Sequence, residues 1–164
     1  MKKILLLLGL LILVTAEIRA QEDVTSNVAA KIAAVTEISA SGTKDDAVFN
    51  FTTAAELTDG ITLPPVFTLT AKSNKPYYVT VAAAAANFSG GSASDPLPVE
   101  KLLVKIDAGS FVPLSASATT IIGAGTNAAR GIKEYVVHYR MEPGFDAAPA
   151  LDYTTTLTYT ITAP

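Results

Sequence analysis

Large apolar and small polar residues alternate over 153–164. Tyr153, Thr155, Leu157, Tyr159 and Ile161 share one face, and Thr154, Thr156, Thr158, Thr160 and Thr162 share the other. A period of two buries one face of a β-strand and wets its opposite, whereas no helical register gathers these apolar positions onto one stripe. The same reasoning predicts strands over 47–53 (AVFNFTT), 66–71 (VFTLTA), 77–83 (YYVTVAA), 99–106 (VEKLLVKI) and 132–141 (IKEYVVHYRM). Over 24–38 the even positions read Val, Ser, Val, Ala, Ile, Ala, Thr, Ile, which predicts a long first strand. Helix is the rival there, since Ala29, Ala30, Ala33 and Ala34 are good helix formers. The β-branched residues and the alternation favour strand.

Turn residues punctuate these runs. The connection 72–76 (KSNKP) is short enough to join 66–71 and 77–83 as an antiparallel hairpin. The stretch 54–60 (AAELTDG) reads as a short helical turn closed by Gly60. Pro113 demotes 111–114 to an edge or irregular strand, because proline cannot donate to a ladder. Seven to nine short strands with no strand–helix alternation predict an all-β fold, an immunoglobulin-like antiparallel β-sandwich. A closed barrel is the competitor. Uneven strand lengths, and loops at 87–98 and 142–152 long enough to cross between sheets, favour the sandwich.

At the N-terminus, Lys2 and Lys3 precede an apolar run over 4–14, and small residues follow at Ala16 and Ala20, the pattern of a secretory signal peptide. Cleavage is expected after Ala20, with a cut after Ala16 as the alternative. The apolar run is well short of the roughly twenty residues a spanning helix needs, and no other stretch is apolar enough to span. The expected organisation is therefore a signal peptide over 1–20 and one β-sandwich domain over 21–164. Its expected destination, reached through the periplasm, is the outer cell surface or the medium. Zero cysteines remove disulfides, thiol redox chemistry and thiolate metal sites. Subtracting Lys2, Lys3 and Arg19 from twelve basic residues and Glu17 from fifteen acidic ones leaves nine against fourteen, a net charge of −5. Such a balance argues against nucleic acid and anionic membrane as partners.

Candidate chemistry is sparse. The one histidine, His138, shares a strand face with Glu134, Val136 and Arg140, while Tyr135, Val137, Tyr139 and Met141 form the greasier face, so His138 is expected to look outward. A catalytic histidine would need a nucleophile and an orienting carboxylate that the local sequence does not supply. The aspartates at 45, 46, 59, 95, 107, 146 and 152 fall in turns or at strand ends without the spacing of a calcium loop. Asn87-Phe88-Ser89 matches a glycosylation triplet that also arises often by chance. Gly123-Ala124-Gly125 lacks the lysine of a phosphate loop and reads as a flexible turn. The tyrosines fall on strands, where core packing is the default and an outward stacking platform built on Tyr78 the alternative. No catalytic residue, metal site or cofactor is expected.

The segments VTSNVAAKIAAVTEI, FNFTTAAELTDGI, FTLTAKSNKPYYVTV and YTTTLTYTITAP, taken with the signal peptide and the absence of cysteine, resemble small exported pilin-like and spore-coat-U-like surface proteins of Gram-negative bacteria. The resemblance implies a non-enzymatic structural or adhesive protein, a fimbrial-type subunit that joins copies of itself or other surface subunits by strand addition. The exchangeable strand would be 21–38, with Val28, Ile32 and Ile38 as its anchors. Pairing of that strand within its own chain is the competing reading, because an unpaired alternating strand invites aggregation. A secreted glycan-binding module using loops 87–98 and 142–152 is the alternative function, and a hydrolase the third.

Overall fold

The computed structural model describes residues 29–42, 47–91, 94–150 and 152–164. The chain divides into two units, Met1–Ile32 and Ala33–Pro164. The signal peptide, Val28 and the beginning of the expected first strand lie outside the described residues. Within the first unit, residues 29–32 form neither helix nor strand, and Ile32 is 85% exposed.

The second unit is built from two antiparallel sheets. The first has the order β1 (Thr36–Gly42), β3 (Phe67–Ser73), β8 (Gly131–Met141), β5 (Leu102–Ile106), β6 (Val112–Pro113), and β2 (Ile61–Thr62) pairs with the far end of β8. The second has the order β7 (Thr119–Ile122), β4 (Tyr78–Ala83), β9 (Leu157–Thr162). Every second side chain points inward, as the alternation requires. Leu69, Val104 and Val137 from the first sheet meet Val81 from the second in one apolar cluster, with Leu114 at its side. Ala71, Tyr77, Val79 and Ile122 form a second cluster. The expected sandwich is therefore present.

Its wiring differs from the sequence expectation in four places. The hairpin predicted over 66–83 does not form: β3 lies between β1 and β8 in one sheet, and β4 between β7 and β9 in the other. Both ladder edges of each strand are taken by distant partners, so 72–76 crosses from sheet to sheet. The crossing is held by Ser73, the one buried polar side chain among the described residues, whose Oγ accepts from the Lys75 amide at 3.1 Å and lies 3.3 Å from Thr36 Oγ1. The first strand begins only at Thr36, its register running from Thr36 opposite Ser73 to Gly42 opposite Phe67. The predicted strand over 47–53 is not a laddered strand, although its inward positions alternate as expected. The run over 99–106 opens as a 3-10 turn, Val99–Lys101, before β5 begins. Strands β2 and β7 escaped prediction because two and four residues carry too little alternation to read. Pro113 does sit on an edge strand, opposite Leu103.

The short helix α1 (Ala54–Asp59) follows from its caps. Thr53 Oγ1 accepts from the Glu56 amide at 3.2 Å, and Glu56 Oε2 accepts from the Thr53 amide at 2.9 Å, a reciprocal pair that satisfies two otherwise orphaned donors. The Thr52 amide also donates to Glu56 Oε2, at 2.7 Å, and with Thr53 it holds the Glu56 carboxyl below the usual carboxylate range. Gly60 ends the helix at φ 73°, where a side chain's Cβ would stand 2.7 Å from the Met141 carbonyl oxygen.

Leu114 is fully buried between the sheets, so Leu114→Ala should lower unfolding stability by about 2–5 kcal/mol in urea titration, through lost transfer energy and a residual cavity. Ile132→Ala, at a position 70% exposed, should change it by less than about 1 kcal/mol. Equal effects at the two positions would contradict this packing.

Candidate functional site

One side of the sandwich is sewn shut. Past β6 the chain runs straight toward β7, with the Leu114 amide donating to Leu102 O and the Ala83 amide to Ser115 O, each at 2.9 Å. On the opposite side β1 and β9 approach each other, and each is the last strand of its sheet. Neither has a second ladder partner among the described residues. An apolar groove of about 960 Å³ opens between them.

The groove floor comes from both sheets: Phe67, Leu69, Tyr139 and Met141 from the first, Leu157 and Tyr159 from the second. Its burial pattern shows how open it is. Leu157, Tyr159 and Ile161 are only half-buried, although their alternation matches that of the fully buried Val79 and Val81 on β4. The difference is position, since β4 has strands on both sides and β9 on one.

Residues 47–52 lie along the groove. Ala47, Phe49 and Phe51 pack against the core, while Val48 is 64% exposed. The Phe49 and Phe51 rings are nearly parallel, at 14°, with centroids 6.4 Å apart. No hydrogen bond ties the backbone of 47–51 to another described residue.

Two tyrosine pairs bridge the sheets beneath and beside the groove. The Tyr139 and Tyr159 hydroxyls lie 2.6 Å apart and the Tyr77 and Tyr135 hydroxyls 2.8 Å apart. The Phe67 ring meets Tyr159 edge-on, with centroids 5.7 Å apart. Burial pushes the Tyr139 phenol up to about 12, against a smaller opposing effect of its hydrogen bond with Tyr159. Burial, followed by the neighbouring Tyr139, raises Tyr159 further. Tyr77 is raised by burial first and by its bond to Tyr135 second.

Of the predicted anchor residues, the structure brings one to the groove. Ile38 sits in β1 opposite Ala71, half-buried, and lines the wall. Ile32 is exposed, and Val28 lies outside the described residues. Between them Asn74 grips the chain: its side-chain amide donates to Ala33 O at 2.7 Å and its Oδ1 accepts from the Val35 amide at 2.9 Å. The ladder with β3 thus begins at Thr36, and the stretch just before it is tied within its own chain through Asn74, whose backbone amide also donates to Val35 O at 3.2 Å.

The other candidates stay apart. His138 lies on the outer face of β8, opposite Lys105, as its strand position predicted. No cluster of three His, Asp or Glu side chains with metal-binding spacing occurs among the described residues. The start of loop 87–98 is pinned: Phe88 packs edge-on against Tyr153, and Ser89 exchanges backbone hydrogen bonds with Thr154 at 2.9 Å. Among the described residues no helix is long and apolar enough to cross a membrane. Sequence reasoning missed the groove itself. The signal it could have used was two aromatic inward positions, on 132–141 and 153–164, that needed a common partner.

Among solved structures, the chain is similar to a subunit from the structure of a chaperone–usher pilus that addresses the molecular basis of rod uncoiling. The identity there is 12% and the TM-score 0.47, over 89% of this chain and 97% of that one. It is similar also to the P pilus rod subunit PapA, at 16% identity and a TM-score of 0.37, over 88% of this chain and 100% of that one. No known family's sequence model and no curated protein matches the chain.

The tyrosine bridge has a signature in pH and in mutation. Folding holds these phenols protonated, so their stabilisation is fully present below the unfolded value of 10 and is lost as pH rises toward about 12 and beyond. Tyr159→Phe should cost about 1–3 kcal/mol at neutral pH by stranding the Tyr139 hydroxyl, whereas Tyr139→Phe with Tyr159→Phe should cost less than the single change. The double variant should also unfold at higher pH than the unaltered chain in an alkaline titration followed by circular dichroism. A double variant worse than the single at neutral pH would refute the bridge.

Proposed function

We propose that this chain is an exported, non-enzymatic structural subunit of the cell surface that joins copies of itself by strand addition. The N-terminal segment 21–32 of one copy enters the groove between β1 and β9 of the next. The leader 1–20 directs export and is cut after Ala20. The observation that carries the reading is the unsealed side of the sandwich: an apolar floor bordered by two strand edges that lack partners.

The proposed donor has matching chemistry. Its alternation places Val24, Val28 and Ile32 four residues apart on one face, with the small Ser26 and Ala30 between them on that face. An extended segment of twelve residues reaches about 40 Å, more than enough to run the length of a six-residue strand. Main-chain hydrogen bonds to an edge supply affinity, and the apolar anchors supply register. Full burial of Val28 and of Ile32 would each contribute about 1.5–3 kcal/mol. Ile38 takes a different part from the one expected of it, as acceptor wall rather than donor.

Removing residues 21–32 from the mature chain should leave β1 and the sandwich intact by circular dichroism, yet abolish filaments in negative-stain images. Ile32→Asp should weaken assembly about tenfold or more, read as the shift in the monomer–polymer midpoint by size exclusion with light scattering. Filaments that persist after the deletion would defeat the proposal.

A further inference from the structure

We infer that residues 47–52 act as a tethered plug, a stand-in for the incoming strand that occupies the groove until a second copy displaces it. This rests on the strand-addition reading above and adds a regulatory step to it. Three observations carry it. The segment alternates like a strand, with Ala47, Phe49 and Phe51 against the core and Val48 turned outward. It lines the groove between the free edges of β1 and β9, packed against the core on its inner side. Its backbone over 47–51 forms no hydrogen bond with any described residue, and among those residues its contacts are through side chains.

Its attachment suits displacement. The C-terminal end is fixed where Thr52 and Thr53 donate to Glu56 Oε2, at 2.7 and 2.9 Å, and the N-terminal end follows β1, which stops at Gly42. A segment anchored at both ends can swing out without unravelling either sheet. The Phe49 and Phe51 rings stack on each other, so they can leave as one unit. An entering strand offers equivalent apolar side chains and adds the ladder hydrogen bonds that the plug does not make. Occupancy by 47–52 shields the apolar floor of the lone subunit, and departure of the plug opens it to the second copy.

The test uses the mature chain and a labelled peptide of sequence 21–32. On the unaltered protein, chymotrypsin cleavage after Phe49 and Phe51, mapped by mass spectrometry, should rise about tenfold when the peptide is bound, because cleavage follows the population of the released segment. Peptide association with the Phe49→Ala, Phe51→Ala variant should be about tenfold faster than with the unaltered protein, since less of the groove is blocked at the outset. If the peptide binds but the cleavage rate stays the same, the plug is overturned and strand addition stands. If the peptide binds neither protein, strand addition fails and the plug fails with it. The cleavage arm needs no substitution, so it holds even where the double variant does not fold.

Discussion

An antiparallel sandwich seals its interior only where chain continues across the gap between its two sheets. Between β6 and β7 the chain does so, and Leu114 there is fully buried. Between β1 and β9 it does not, and the whole character of the molecule follows from that asymmetry. Strands with neighbours on both sides, β4 and β8, hold the fully buried Val79, Val81 and Val137. Strand β9, with the same alternation and one neighbour, keeps its inward residues half wet. A long apolar edge of this kind is an aggregation hazard, and proteins either cover it or use it.

The tyrosine pairs make the open side tolerable. A hydroxyl buried without a partner costs about 1–3 kcal/mol, so two inward tyrosines from opposite sheets stabilise each other only if both are present. Tyr139 and Tyr159 meet that condition at 2.6 Å, directly beneath the groove, and Phe67 closes on Tyr159 from the side. The floor is therefore fixed by bonds between the sheets, and does not depend on whatever lies above it. A preformed floor lowers the ordering cost of any strand that settles there.

Much of the architecture was legible in the chain because period-two alternation reports directly which face of a strand is buried. It located β3, β4, β8 and β9 and the capped turn at 54–60. It could not report pairing. An inward face looks the same whether the neighbour is the next strand or one sixty residues away, which is why 66–83 read as a hairpin while its two strands belong to different sheets. Alternation likewise could not separate the laddered strand over 153–164 from the unladdered 47–53. The groove escaped for the same reason: it is an absence of pairing, and no residue pattern encodes a partner that is missing. What the sequence did carry was an alternating segment ahead of Thr36, of which Ile32 is 85% exposed.

In the proposed assembly, the two segments that would compete for the groove differ in how they bind. Residues 47–52 bring two adjacent phenyl rings and no ladder, so their hold comes from side-chain burial alone, and Phe49 and Phe51 realise only part of it because they stay half exposed. The segment 21–32 brings slimmer anchors, valine and isoleucine at every fourth residue with alanine or serine between, and these leave room for the backbone to approach a strand edge. Each ladder bond then adds a net of about 0.5–1.5 kcal/mol, and several form together. The balance runs opposite ways in the two settings. Within one molecule the plug is tethered, its effective concentration is high and weak contacts suffice. Between molecules the donor must overcome the loss of free translation, and only a continuous ladder supplies enough. Bulk without hydrogen bonds suits an occupant that must leave, and hydrogen bonds with modest bulk suit one that must stay.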